Sequence, residues 1–172
     1  MSIEHFNTLL QELGKSVGLP ELKPNDGGLC SLRFDDRVTI DLEANEETGA
    51  LIFSAIVATL VPHQTEKFYS ELLEANLLWV GTGGATLGVD PATLSVFMCY
   101  QEKLEGMEYL RFQDLLKGFS DVALFWNKRI VDGTNLDEKP PGAPQSTPAS
   151  SVKPADNQPV SAPTPTQIGS YA

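Results

Sequence analysis

Apolar residues at Ile3, Phe6, Leu9, Leu10, Leu13 and Val17 recur at helical spacing. They predict an amphipathic helix over residues 3–17, with Ser2 placed to cap it and Glu4 suited to the positive end of its dipole. Gly18, Pro20, Pro24 and the run Asn25-Asp26-Gly27-Gly28 break that period and predict a loop. From Cys30 the period becomes two. Cys30, Leu32 and Phe34 alternate with Ser31 and Arg33, and beyond Asp35-Asp36 the alternation resumes as Val38, Ile40 and Leu42 against Thr39, Asp41 and Glu43. That pattern is a hairpin with one wet face. Asn45 to Gly49 predicts a second turn, and residues 51–61, apolar on both parities, predict a third strand covered on both faces.

Pro62 ends this strand, and helical spacing returns over residues 64–80 through Phe68, Leu72, Leu73, Ala75, Leu77 and Trp79. The stripe also takes in Tyr69, Leu78 and Val80, which is broader than packing on one small sheet requires and implies a second burial partner. Gly81 to Gly84 lead into short β-like runs over 85–89 and 94–101, joined by Asp90-Pro91-Ala92. After Glu105-Gly106, the residues Met107, Leu110, Leu115, Phe119, Val122, Trp126 and Ile130 trace a long helix to about residue 131. The predicted order is α-β-β-β-α-β-β-α, an α+β protomer built on a twisted antiparallel sheet.

Composition divides the chain. Eight of its twelve prolines fall between Pro140 and Pro165, so residues 1–132 are expected to form the folded domain and 133–172 a disordered Pro-rich tail with polyproline II bias, a linker or tether. The net charge is −11, of which about −10 belongs to residues 1–132, and such a surface repels nucleic acid and anionic membranes alike. No basic, apolar leader opens the chain, and the longest apolar run, residues 50–61, is far short of the ~20 residues a membrane span needs. The two cysteines, Cys30 and Cys99, sit in strand-like runs and read as reduced, buried thiols of a cytoplasm rather than as a disulfide framework.

Candidate chemistry is sparse. Residues 81–88, Gly-Thr-Gly-Gly-Ala-Thr-Leu-Gly, are the one phosphate-loop-like string, but a helix precedes them and a strand follows, the reverse of the order a nucleotide-binding loop needs. His5 and His63 lack a second ligand at metal-binding spacing, and Asp35-Asp36 and Glu46-Glu47 lie in turns where nothing apolar would raise a carboxyl pKa. No catalytic residue, metal site or cofactor is expected. The apolar surplus over 51–61, 72–80 and 94–100 leaves two readings open: an ordinary covered sheet, or a dimer interface together with a groove for an extended peptide.

Several fragments resemble the class I type III secretion chaperones, the CesT or Tir-chaperone family. They are the opening helix leading to Gly18-Leu19-Pro20, the hairpin Leu32-Arg33-Phe34-Asp35-Asp36 with residues 38–42, and Leu72-Leu73-Glu74-Ala75-Asn76-Leu77-Leu78. A glycine-rich turn, Ala85-Thr86-Leu87-Gly88-Val89-Asp90 and Leu94-Ser95-Val96 complete the match, which covers residues 2–131. The resemblance implies a non-enzymatic bacterial cytoplasmic homodimer that holds the N-terminal segment of a secreted effector in extended form and serves the secretion apparatus and its ATPase. It places the dimer interface at Phe68, Leu72, Ala75, Asn76, Trp79, Ala85, Leu87 and Val89, and effector contacts at Phe6, Leu10, Leu32, Phe34, Ile40, Phe53 and Ala55. The Pro-rich tail departs from the family pattern. An alternative of another class is an adaptor of the same fold that binds a folded regulator of secretion.

Overall fold

The structure, a computed structural model, describes residues 2–134, 137–139 and 141, so the predicted tail lies mostly outside the described residues. Helix α1, Ser2–Val17, turns Phe6, Leu9, Leu10 and Leu13 inward, as its apolar spacing predicts. Gly18 adopts a left-handed φ of 78°, and the Leu19 N–H donates to the Gly14 carbonyl at 2.7 Å, closing the helix end. This closure needs Gly14 itself, because a Cβ there would lie 2.3 Å from the Leu19 oxygen.

Five strands follow the predicted hairpins: β1 Leu29–Phe34, β2 Val38–Asn45, β3 Ala50–Thr59, β4 Thr86–Val89 and β5 Ser95–Lys103. They form one sheet in the order β1-β2-β3-β5-β4, with every neighbouring pair antiparallel. Asp35 and Asp36 turn the first hairpin at φ 50° and 53°, values that carboxamide and carboxylate side chains tolerate better than branched ones.

Helix α3, Tyr109–Asn127, crosses β2 and β3 and packs beside α1, so both helices cover the same sheet face. Phe53 stands at the centre of that layer, with the rings of Phe119, Tyr100 and Phe112 at 5.7, 6.0 and 6.4 Å. A β-bulge between Ile56 and Ala58 interrupts the β3–β5 register, and the buried Asn127 amide donates to the Val57 carbonyl at 2.7 Å. The Asn127 oxygen accepts from Arg37 at 3.0 Å, and Arg37 pairs with Asp132 at 2.8 Å, which fastens the end of α3 to the first hairpin.

Two expectations are corrected. No helix or strand among the described residues covers the outer sheet face, so β3 is covered on one side only and Ile56 is 52% exposed. The second helix, α2, spans Thr65–Asn76 and does not continue to residue 80. Leu77 is extended and Leu78 and Trp79 take left-handed φ values of 53° and 56°, because the chain must reverse to lay β4 beside the helix it has just left.

Candidate pairing and client-binding surfaces

Helix α2 has two apolar faces of different fate. Phe68, Leu72 and Ala75 are buried inward, and Ala85 and Leu87 are buried beyond the turn. These five residues, predicted as dimer contacts, attach α2 and β4 to the rest of the protomer, and Leu72 and Leu87 also line the groove between the two elements. The outward face carries Tyr69 and Leu73, and the reversal adds Leu77, Leu78 and Trp79. Leu73 and Leu78 are 72% and 78% exposed, well above what scattered surface apolar residues require explaining, because all five lie on one continuous stretch. Tyr69, Leu73, Asn76, Gly88, Val89 and Pro91 border a groove of about 360 Å³ along the α2–β4 seam. Of the predicted interface residues, Trp79 is exposed and Asn76 and Val89 are half-buried.

The two edges of the sheet differ. On β4 the Asn76 carboxamide donates to the Leu87 carbonyl at 2.8 Å and accepts from the Leu87 N–H at 2.9 Å, so it occupies both backbone groups that point away from β5. The β4 edge is thereby closed at its middle. On β1 the Leu29 backbone turns outward to Asn25, with Asn25 N–H to Leu29 oxygen at 2.8 Å and Leu29 N–H to Asn25 Oδ1 at 3.0 Å. Antiparallel alternation then points the N–H and C=O groups of Ser31 and Arg33 outward as well. No strand pairs with them among the described residues. Leu32 and Phe34 flank this edge on the helix-covered side, half-buried and in contact with the core. They are the two predicted client contacts that the fold leaves partly open. Phe6, Leu10, Ile40, Phe53 and Ala55 are at most 3% exposed, and a client could reach them only by displacing α1 or α3. Alternation and helical spacing mark a side chain as apolar, but whether it meets its own chain or a partner depends on which elements stack over it.

The outer face presents Ile56 directly opposite Phe97, with Gly88 next in line across β5 and Cys99 two residues further along that strand. Cys99 is exposed, against the expectation of two buried thiols, while Cys30 is buried. Burial pushes the Cys30 thiol up, with the nearby Asp41 carboxylate adding to it, and partial burial pushes Cys99 up too, so neither is an activated thiolate.

The chemistry elsewhere is structural. The glycine-rich string is a helix-to-strand connector: the Ala85 N–H donates to Thr82, and the buried Trp126 indole donates to the Gly81 carbonyl at 2.9 Å. The His5 ring meets the Met107 carbonyl at 2.8 Å and His63 is exposed. No group of three potential metal ligands occurs among the described residues, and no helix among them is long and apolar enough to cross a membrane. The lowered carboxyl of Glu102 has a local cause, the hydrogen bond from Tyr100 at 2.7 Å and then that from Arg111 at 2.8 Å. Sequence reasoning missed the fastening role of Asn76 and Asn127, since a lone asparagine carries no spacing signal.

Known proteins share this arrangement. The chain is similar to a solved ExsC–ExsE complex, at 26% identity over 74% of this chain and 95% of that one, with a TM-score of 0.64. The HopA1–SchA chaperone–effector complex shares the fold at 20% identity, 74% and 97% coverage and a TM-score of 0.57. So does the Yersinia pestis type III secretion chaperone SycH, solved with a stable fragment of YscM2, at 19% identity, 69% and 97% coverage and a TM-score of 0.54. No curated protein matches the chain by sequence. The sequence model of one family, however, matches residues 8–127, well over half of the chain, and on that span the protein belongs to the Tir chaperone protein (CesT) family.

Proposed function

We propose that this protein is a bacterial cytoplasmic chaperone that pairs with a second copy through the outer face of α2 and holds the N-terminal segment of a secreted effector in extended form. Residues 1–132 are the chaperone domain, and the loaded client passes to the ATPase of the secretion apparatus. No bond is made or broken; the protein keeps the segment unfolded and soluble until delivery.

The observation that carries the client assignment is the asymmetry of the sheet. An extended chain can add to a free strand edge, where main-chain hydrogen bonds supply affinity and alternate side chains enter pockets. The β4 edge is closed by Asn76, whereas the β1 edge is open at Ser31 and Arg33 and lined by Leu32 and Phe34. The observation that supports pairing is the exposed apolar run from Tyr69 to Trp79, which a second copy would remove from water. The net charge of −11 favours encounter with basic client segments.

The test is light-scattering mass of the full chain, alone and co-expressed with N-terminal segments of secreted proteins from the same organism. A dimer that retains one extended segment is expected, and Arg33→Pro, which removes an outward N–H on an edge strand without touching the β1–β2 ladder, should release it. A dimer that binds only a folded partner would replace the holdase reading by the adaptor one. Undiminished binding by the proline variant would remove the β1 edge from the site.

A further inference from the structure

The open β1 edge has two sides of different chemistry. Side chains alternate along the strand, so Cys30, Leu32 and Phe34 lie on the helix-covered side, and Ser31 and Arg33 on the outer side. The register carries the outer side across the sheet. Ser31 stands opposite Asp41, Asp41 opposite Ser54, and Ser54 opposite Cys99. In the next row Leu29, Glu43, Ile52 and Gln101 stand side by side. Neither row holds a cation. The Ser31 hydroxyl donates to Asp41 Oδ1 at 2.5 Å, so the carboxylate nearest the edge is met by a neutral group, and the exposed Glu43 has no ion pair among the described residues.

The cations closest to this edge are already engaged. Arg33 pairs with Asp36 at 3.6 Å and donates to the Asp36 carbonyl at 2.7 Å, Arg37 pairs with Asp132 at 2.8 Å, and Lys103 across the sheet pairs with Glu105 at 2.7 Å. Asp26 and Asp35, exposed in the turns at the two ends of β1, add charge of the same sign as Asp41 and Glu43. The Asp41 field is felt on β1 itself, where it adds to the rise of the Cys30 thiol that burial begins. A chain laid on the edge therefore meets an acidic outer side with one cation, Arg33, and an apolar inner side at Leu32 and Phe34. The edge is also short. Asn25 closes it at Leu29 and the strand ends at Phe34, so about five residues of a client pair with it, a length of about 17 Å.

We infer that the client strand alternates apolar and polar residues with a fixed order of charge: an apolar residue beside Leu32, a lysine or arginine beside Ser31, and no cation beside Arg33. This rests on the β1 edge being the client site. Residues directly opposite on neighbouring strands share a face with Cβ atoms about 4.5–5.5 Å apart, where opposite charges stabilise and like charges destabilise. Asp41 is two strand spacings from the client, about 9.5 Å, and Ser31 between them is small, so the long stem of a lysine or arginine lies over it and brings its charge to the carboxylate. An acidic residue there would add a carboxylate to a side with no free cation. Beside Arg33 the sign reverses, because a second cation would be its like-charged neighbour. The alternation also pins the register: a slip by one residue would turn the basic side chain towards Leu32 and Phe34 and the apolar ones to water.

The experiment is selection of displayed random peptides of about twelve residues, longer than the edge, on the immobilised full chain. Wild type, Arg33→Pro and the double variant Asp41→Asn with Glu43→Gln are used in parallel, and enriched peptides are measured by fluorescence anisotropy. Peptides enriched on the wild type over Arg33→Pro should alternate apolar and polar residues, with lysine or arginine at one polar position and an uncharged or acidic residue at the next. The double variant, in which the new carboxamide still accepts from the Ser31 hydroxyl, should bind them about two- to fivefold more weakly at low salt, as the loss of an exposed opposite-charge pair does. That difference should shrink at about 0.5 M salt. Alternating peptides without the basic position, or basic ones that the wild type and the double variant bind equally, would overturn the inference and leave the edge in place as the client site. No peptide enriched on the wild type over Arg33→Pro would overturn the edge reading as well. A wild type whose light-scattering mass without peptide exceeds a dimer, and falls to one in Arg33→Pro, would overturn both by assigning the edge to a second copy.

Discussion

Replacing Asn76 by leucine keeps the branched outline of the side chain and removes both hydrogen bonds that close the β4 edge, at 2.8 and 2.9 Å. Each Leu87 backbone group left without a partner costs about 1–3 kcal/mol, or about 2–6 kcal/mol for the two together. Asn76 is half-buried, so water reaches part of the seam and relieves the lower-lying share of that cost. The expected loss is about 2–4 kcal/mol. With a urea m-value near 2 kcal/mol/M, the unfolding midpoint should fall by about 1–2 M at unchanged m. Unfolding followed by circular dichroism at two protein concentrations separates this loss from any weakening of a dimer, which alone depends on concentration. Asn76→Asp is the sharper control: it can still accept from the Leu87 N–H but sets a second oxygen against the Leu87 carbonyl, so it too should destabilise. A leucine variant within about 0.3 M of the wild type, or an aspartate variant equal to it, would refute the claim that this carboxamide fastens α2 to the sheet.

Other outcomes follow from the same geometry. Leu73→Glu, at a 72% exposed position, should leave protomer stability within about 0.5 kcal/mol and halve the light-scattering mass; a retained dimer would remove α2 from the pairing surface. Phe53→Ala should cost about 3–5 kcal/mol and lower the thermal midpoint by more than about 10 °C, as a core deletion does, whereas a residue serving only client binding would leave the midpoint in place. Glu102 has its carboxyl held below the ordinary glutamate range by Tyr100 and Arg111, so its contribution is present above the unfolded-state pKa and is lost as pH falls through the folded one. Glu102→Gln should therefore flatten the acid limb of stability slightly, by well under 1 kcal/mol because the pair is solvent-screened; a variant with an unchanged slope would contradict it. A thiol reagent should modify Cys99 in the native protein and Cys30 only after unfolding, and equal rates would show the Cys30 strand to be open.

Every helix and strand of the domain was readable from periodicity, because a side-chain period of 3.6 or 2 is a local property of backbone geometry. Asp35-Asp36 and Asn45 to Gly49 announced their turns for the same reason. The family fragments around Leu72 to Asn76 and Leu87 to Asp90 were legible too, and so was the acidity that sets aside nucleic acid. The end of α2 was not. Leu77, Leu78 and Trp79 continue the helical spacing, but the requirement that β4 return beside α2 overrides local preference and bends them into left-handed conformations.

The site residues divide along the same line. Phe6, Leu10, Ile40, Phe53 and Ala55 look in sequence like Leu32 and Phe34, yet the packing of α1 and α3 on the sheet buries the first five and leaves the last two at an edge. On α2 the buried Phe68 and Leu72 and the exposed Tyr69 and Leu73 are one residue apart, and only the direction of packing separates them. By itself the sequence determined which side chains are apolar, which segments are helix or strand, and which family the chain resembles. The tertiary structure alone decided which apolar side chains face solvent and which sheet edge Asn76 closes, because each of these depends on contacts between residues far apart in the chain.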